Sequence, residues 1–166
     1  SPSSSLRELC LLAQKRFPSS QSQVYLCQTE EEQFVIKESL NALEYKILQS
    51  LSHPGIIKPQ AFSFEKRRSY FKMKYYQTDL FSLCLKEERF SRVTIKSYLK
   101  QMAEILVYLH SLGRSHGDIS CENFLLDAQE EELVLIDFED SQTGNFGQIL
   151  GRKENYVVPE FYQGNS

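Results

Sequence analysis

His116-Gly117-Asp118-Ile119-Ser120-Cys121-Glu122-Asn123 and Leu135-Ile136-Asp137-Phe138-Glu139 are the two runs from which the fold of this chain is read. The first sets a carboxylate, Asp118, five residues before an amide, Asn123. The second ends the apolar stretch Leu133 to Ile136, which reads as a buried strand, on another carboxylate, Asp137. Between them, residues 123–126, 127–132 and 133–136 divide as strand, turn and strand. A site that transfers a phosphoryl group requires parts of this kind. One carboxylate orients the attacking hydroxyl; an amide oxygen and a second carboxylate hold a divalent cation against the phosphates. Either run alone is weak evidence, because a lone Asp after a strand is commonly a turn or a helix cap. Their order and separation give the pair its weight.

Composition fits this reading and excludes others. A chain of 166 residues, 41% hydrophobic and 25% charged, suits one globular domain that buries about two-thirds of its unfolded surface. A net charge of −3 and a pI near 5.7 give no electrostatic footprint for nucleic acid or a membrane surface, so neither is expected as a partner. No apolar run has the length of a membrane span, and no secretory signal pattern is present. Cys10, Cys27, Cys84 and Cys121 are scattered without metal-ligand spacing and are expected as reduced thiols, in the cytosol or nucleus. The chain opens on Ser1 in a Ser/Pro segment expected to be disordered, and it is expected to be a fragment or a trimmed form.

Working outward, residues 6–17 suggest a short helix or the approach to a first strand. Residues 23–28 and 33–38 read as strands joined by a turn, with Phe34 and Ile36 on one face and Val35 and Lys37 on the other. A helix is expected from Ser39, as N-cap, to Ser50, with Leu40, Leu43, Ile47, Leu48 and Leu51 as its apolar stripe. Glu44 falls on that stripe, where a carboxylate is unfavourable unless a cation meets it, and Lys37 is the natural partner. His53-Pro54-Gly55-Ile56-Ile57 should stop the helix and start a strand. Residues 68–76 alternate as another strand, and Asp79 to Leu83 suggest a short helix. From Ser91 to Leu112 two apolar stripes run along the strongest helix: Ile95, Leu99, Met102, Leu106 and Leu109, and Tyr98, Ile105 and Tyr108. A helix so widely apolar should be covered on several sides.

Taken together, these runs resemble the catalytic domain of the eukaryotic-type protein kinases, over roughly Gln23 to Glu160. His116-Gly117-Asp118 with Asn123 is similar to the catalytic loop, Asp137-Phe138-Glu139 to the metal-binding triplet, and Phe34-Val35-Ile36-Lys37 to the lysine-bearing third strand. His53-Pro54 matches the family's H-P-N-I segment, and Pro159-Glu160 the end of its activation segment. The resemblance implies an α+β, two-lobed fold: an antiparallel-sheet small lobe over about 14–76, with the hinge start, and the first part of a helical large lobe over 77–166. It implies ATP and Mg2+ as cofactors and a protein as substrate. Asp118 would be the catalytic base, Lys37 the phosphate-binding lysine, Glu44 its partner, and Asn123 and Asp137 the metal ligands. Ser19, Ser22, Val24, Val35, Met73, Lys74, Tyr75, Tyr76 and Leu125 would line the nucleotide site, with residues 74–77 as the hinge that hydrogen-bonds adenine.

The sequence also departs from the family. Phe17, Ser19 and Ser22 stand where the glycine-rich loop has its glycines, which let backbone amides approach phosphates. Val35 replaces an alanine, and Gly117 the arginine of the H-R-D triplet. Ser120 replaces the lysine that neutralises the transferring phosphate, and Glu139 the glycine of D-F-G. Only six residues lie between Lys37 and Glu44, fewer than is usual. The chain stops soon after Glu160, so another chain or the rest of the large lobe is expected to cover the helix at 91–112. The leading expectation is a serine/threonine protein kinase. Two rivals are a pseudokinase acting as a binding scaffold, and a small-molecule kinase of the choline or aminoglycoside kind, whose enzymes also carry H-G-D.

Overall fold

The computed structural model describes residues 4–18 and 21–144. Its first half is built on a five-stranded antiparallel sheet. The strands are β1 (Lys15–Pro18), β2 (Ser22–Gln28), β3 (Gln33–Ser39), β4 (Ala61–Glu65) and β5 (Arg68–Lys74), in the order β1-β2-β3-β5-β4. Register follows the side-chain alternation. Val35 lies opposite Met73 and Lys37 opposite Phe71, so one face carries the cleft side of the sheet. On the other face Phe34, Ile36, Tyr25, Cys27 and Tyr70 form a separate apolar cluster.

Helix α1 (Leu6–Leu11) covers that second face with Leu6, Leu9 and Cys10. It is a short helix, but its start is fixed. Ser5 Oγ accepts from the Glu8 N–H and Glu8 Oε2 accepts from the Ser5 N–H, each at 3.2 Å, a reciprocal capping box. The sheet half of the molecule therefore takes in residues before 14, where the small lobe was expected to begin.

Helix α2 (Leu43–Ser50) packs Ile47 and Leu48 against the cleft side. It starts later than the expected Ser39. The β3–β5 ladder runs on to the Ser39–Ser69 pair, whose hydroxyl oxygens lie 2.9 Å apart, and so claims Ser39 for the sheet. Asn41 Oδ1 accepts from the Leu43 N–H instead. Leu40 and Leu43, expected on the buried stripe, are exposed.

The second half holds β6 (Thr78–Asp79), α3 (Leu80–Lys86), α4 (Arg92–Ser111), β7 (Arg114–Ser115), a 3-10 turn at Cys121–Asn123, β8 (Phe124–Leu126), β9 (Leu133–Leu135) and β10 (Gln142–Thr143). β6, β8 and β9 form one small sheet, and β7 pairs with β10. Asp79 caps α3 through the Ser82 N–H, and Ser91 caps α4 through the Thr94 N–H. Tyr98, Ile105 and Leu109 are the buried face of α4. That face draws on both expected stripes; Ile95 and Leu99, of the same stripe as Leu109, are exposed, as are Val93 and Val107.

The 53–57 segment is not a strand but a seam between the halves. Ile56 makes a single parallel bridge to Leu135; the Leu135 N–H donates to Gly55 O and the Ile57 N–H to Leu135 O. Gly55 lets the segment pass close over α4, since a Cβ there would lie 2.6 Å from the Ile105 side chain. The principal core spans both halves, with Phe71, Leu109, Leu135 and Phe138 fully buried. Each such side chain contributes about 1.5–3 kcal/mol of apolar burial. Among the described residues no helix is long and apolar enough to cross a membrane.

Candidate functional site

A cleft of about 360 Å3 opens below the five-stranded sheet. Ser22 and Val24 of β2 and Val35 and Lys37 of β3 line it, with Met73 and the segment 74–77 behind β5 and Leu125 and Ile136 from the second half. The expected positions Ser22, Val24, Val35, Met73, Lys74, Tyr75, Tyr76 and Leu125 are thus brought to one cavity, apolar along its middle. Ser19 lies outside the described residues, as do Pro159 and Glu160.

At the closed end sits Lys37, 5% exposed, on the strand whose alternation turns it away from Phe34 and Ile36. Its Nζ lies 2.8 and 2.9 Å from the two Glu44 oxygens, 2.9 Å from Glu139 Oε1 and 3.6 Å from Asp137 Oδ1. The short connection between β3 and α2 does not prevent the Lys37–Glu44 pair. Burial works against the Lys37 ammonium, but Glu44 and then Asp137 and Glu139 hold its pKa above the ordinary lysine value. Glu44 is pushed up to about 7 by burial, which its contact with Lys37 only partly offsets. One cation serves three carboxylates.

Asp137 is carried into this cluster by a left-handed backbone, φ +64°, a conformation that costs a non-glycine residue about 1 kcal/mol or more. The preceding residue, Ile136, is held at both of its backbone groups. The Ile136 N–H donates to Asn123 O at 2.9 Å, and His116 Nε2 lies 2.8 Å from Ile136 O. His116 Nδ1 accepts from the Asp118 N–H at 3.1 Å, so its Nε2 carries the proton and the ring is neutral. Burial fits this, holding the His116 pKa below its usual value. The His116 ring also meets Phe138 edge-on, centroids 4.7 Å apart.

Asp118 and Asn123 stand outside the cavity lining and are linked to it through Ile136. The Asn123 amide nitrogen donates to Asp118 O at 2.8 Å and to Asp118 Oδ2 at 3.3 Å, which leaves its Oδ1 as the atom to offer a cation. Gly117 has φ +87°, and a Cβ on it would stand 2.5 Å from Asp140 O. The residue in the arginine's place is therefore fixed as glycine by local backbone.

In the sequence Glu139 stands out only as the residue in place of the D-F-G glycine. Its side chain, 15% exposed, in fact reaches Lys37. Burial disfavours its charged form, but the adjacent Ser22 hydroxyl and the Lys37 ammonium hold the carboxyl below the ordinary value. Ser22 Oγ itself is buried without a hydrogen bond of regular geometry. The available signal was an acid two residues after Asp137, on a chain already aimed at a buried lysine. Phe17, in the place of a loop glycine, also lines the cleft, as do Leu48, Ile57 and Asp79, which were not expected there.

Comparison with known sequences points the same way. The family described as Protein kinase domain matches residues 19–166. An Aurora kinase of Yarrowia lipolytica is 34% identical over 123 residues, covering 72% of this chain and 33% of that protein. The 3-phosphoinositide-dependent protein kinase 1 of Arabidopsis thaliana is 32% identical over 120 residues, 69% of this chain and 24% of the relative. A Dictyostelium discoideum protein named "Probable inactive serine/threonine-protein kinase samkD" is 32% identical over 123 residues, 71% and 22%. The chain spans about a third or less of the length of these relatives.

Proposed function

The chain belongs to the protein kinase family, and from that premise we propose that it binds ATP in the cleft and transfers the γ-phosphoryl group to a serine or threonine hydroxyl of a protein. The observation that carries this reading is the meeting of Lys37, Glu44 and Asp137 at the closed end of an apolar cavity bordered by the 74–77 segment. In it the adenine lies between Val35 and Leu125, against the backbone of 74–77. Lys37 binds the α- and β-phosphates and Glu44 orients Lys37. Asp118 orients the substrate hydroxyl and takes its proton, with its backbone set by His116 and its carboxylate by Asn123.

The residues suit a hard divalent cation. Asp137 and Asn123 offer oxygen donors, and carboxylate oxygens of Glu44, Asp137 and Glu139 come within 4.8 Å of one another. Asp137 and Asn123 would hold Mg2+, which supplies charge neutralisation at the phosphates. Action in the cytosol or nucleus, and a covering partner or further segment on α4, belong to the same proposal.

One observation favours a second reading, a nucleotide-binding scaffold without transfer: Glu139 engages the lysine that should hold phosphates. Ser120, in place of a cationic residue, favours it too. Incubation with γ-labelled ATP, Mg2+ and serine/threonine peptides separates the two. The expected result is transfer that Asp118→Ala abolishes while nucleotide binding persists. Binding without transfer in the unaltered chain would select the scaffold.

A further inference from the structure

An ammonium has three N–H donors, and the Lys37 Nζ has three carboxylates within reach: Glu44 at 2.8 Å, Glu139 at 2.9 Å and Asp137 at 3.6 Å. A phosphate oxygen approaching Lys37 therefore meets an ammonium whose charge is already engaged. Nζ donates to Glu44 Oε2 at 2.9 Å, and Glu139 Oε1 stands in ion-pair contact with it without a hydrogen bond of regular geometry. The phosphate must displace an acid, and the three are not equally replaceable. Glu44 is 6% exposed on α2, in the same packed face as Ile47 and Leu48. Taking Lys37 from it would strand a buried charge. Asp137 is the farthest and touches Lys37 least. Glu139 is in close contact, somewhat more exposed, and has another acid, Asp137, beside it.

We propose that Glu139 is a ligand-selecting residue: its carboxylate takes the position at Lys37 that nucleotide phosphates require, so the cleft accepts an uncharged adenine nucleoside freely and a polyphosphate only together with a divalent cation. This rests on the nucleotide-cleft reading above. Val35 and Leu125 are apolar and make no ion pair with Glu139, so an adenine ring held between them should be indifferent to Glu139. The closed end carries three carboxylates against one lysine, so a bare triphosphate meets repulsion on arrival. Unit charges a few ångströms apart in such a site interact strongly enough to change affinity by tenfold or more. With a divalent cation, the cost of releasing Glu139 from Lys37 falls, because its oxygens and those of Asp137 are already close enough to share one ion.

The test is equilibrium binding to the 166-residue chain of adenosine, of ATP with chelator, and of ATP with Mg2+, repeated for Glu139→Gln and Glu139→Gly. In the unaltered chain, adenosine should bind at least about tenfold more tightly than metal-free ATP, and Mg2+ should restore ATP binding. Both variants should tighten metal-free ATP by about tenfold and leave adenosine unchanged. Metal-free ATP binding as tightly as adenosine in the unaltered chain overturns the inference whatever the variants do. So does a ratio that neither variant moves. If adenosine and MgATP both fail to bind any of the three proteins, the nucleotide-cleft reading itself is overturned. That result is distinct from adenosine binding with an unmoved ratio, which sinks only the role of Glu139.

Discussion

Lys37 Nζ lies 2.8 Å from Glu44 Oε1 although only six residues separate the two in sequence, and both side chains are more than nine-tenths buried. The contact closes because β3 runs on to Ser39 and α2 begins only at Leu43, so Glu44 stands in the first helical turn, facing the strand it has just left. Removing the cation leaves three acids crowded together. Lys37→Ala should cost about 3–5 kcal/mol of stability, read from urea unfolding, whereas Glu44→Gln should cost less because two acids remain on Lys37. A loss below about 1 kcal/mol for Lys37→Ala would show that the cluster is not held by its lysine.

Gly117 answers to its backbone. At φ +87° with Asp140 O only 2.5 Å from any Cβ, Gly117→Ala should destabilise by about 1–3 kcal/mol and displace the Asp118 loop. Gly117→Arg, which rebuilds the family's more usual triplet, should be at least as damaging. Thermal unfolding of both variants checks this; an unchanged midpoint for the alanine variant would contradict it.

Alkaline conditions should weaken the fold from the α1 side. Burial pushes the Cys10 thiol from 9.0 up to about 12, and burial together with Glu38 pushes the Tyr25 phenol from 10.0 up to about 12. The folded chain then keeps protons that the unfolded chain releases. Their contribution is complete below pH 9 and is lost as pH rises towards 12. Unfolding midpoints between pH 8 and 10.5 should fall, and Cys10→Ala with Tyr25→Phe should flatten the slope. An equal slope in the double variant would sink the assignment.

The α4 flank should be sticky. Leu99 is 60% and Ile95 44% exposed, one turn apart on the same side. The 166-residue chain should bind an apolar fluorescent dye. Ile95→Lys with Leu99→Lys should reduce the signal while changing stability by no more than about 0.5 kcal/mol per site. Undiminished dye fluorescence would place the apolar surface elsewhere.

Local chemistry made much of this legible from sequence. The alternation of residues 33–38 correctly separates Phe34 and Ile36 from Val35 and Lys37, because a half-buried strand has a period of two. Ser91 and Gly113 bracket α4 as caps should. What stayed hidden depends on contacts distant in sequence. Ser39 has the side chain of a helix cap, yet pairing with Ser69, thirty residues on, draws it into the sheet. Leu40 and Leu43 have helical spacing but lose their buried side because the helix starts late. Glu139 is visible as a departure from glycine; its reach to Lys37 follows only from the tertiary packing that brings residues 137–139 to the Lys37 ammonium. Ser19, Pro159 and Glu160 lie outside the described residues, so their expected roles gain nothing from the structure.

The most direct measurement is calorimetric titration of the 166-residue chain with MgATP, alone and after Lys37→Ala and Asp137→Ala. The expected result is saturable binding, competitive with adenosine, that either substitution weakens by at least about tenfold. Binding that survives both substitutions unchanged would contradict the assignment of this cleft.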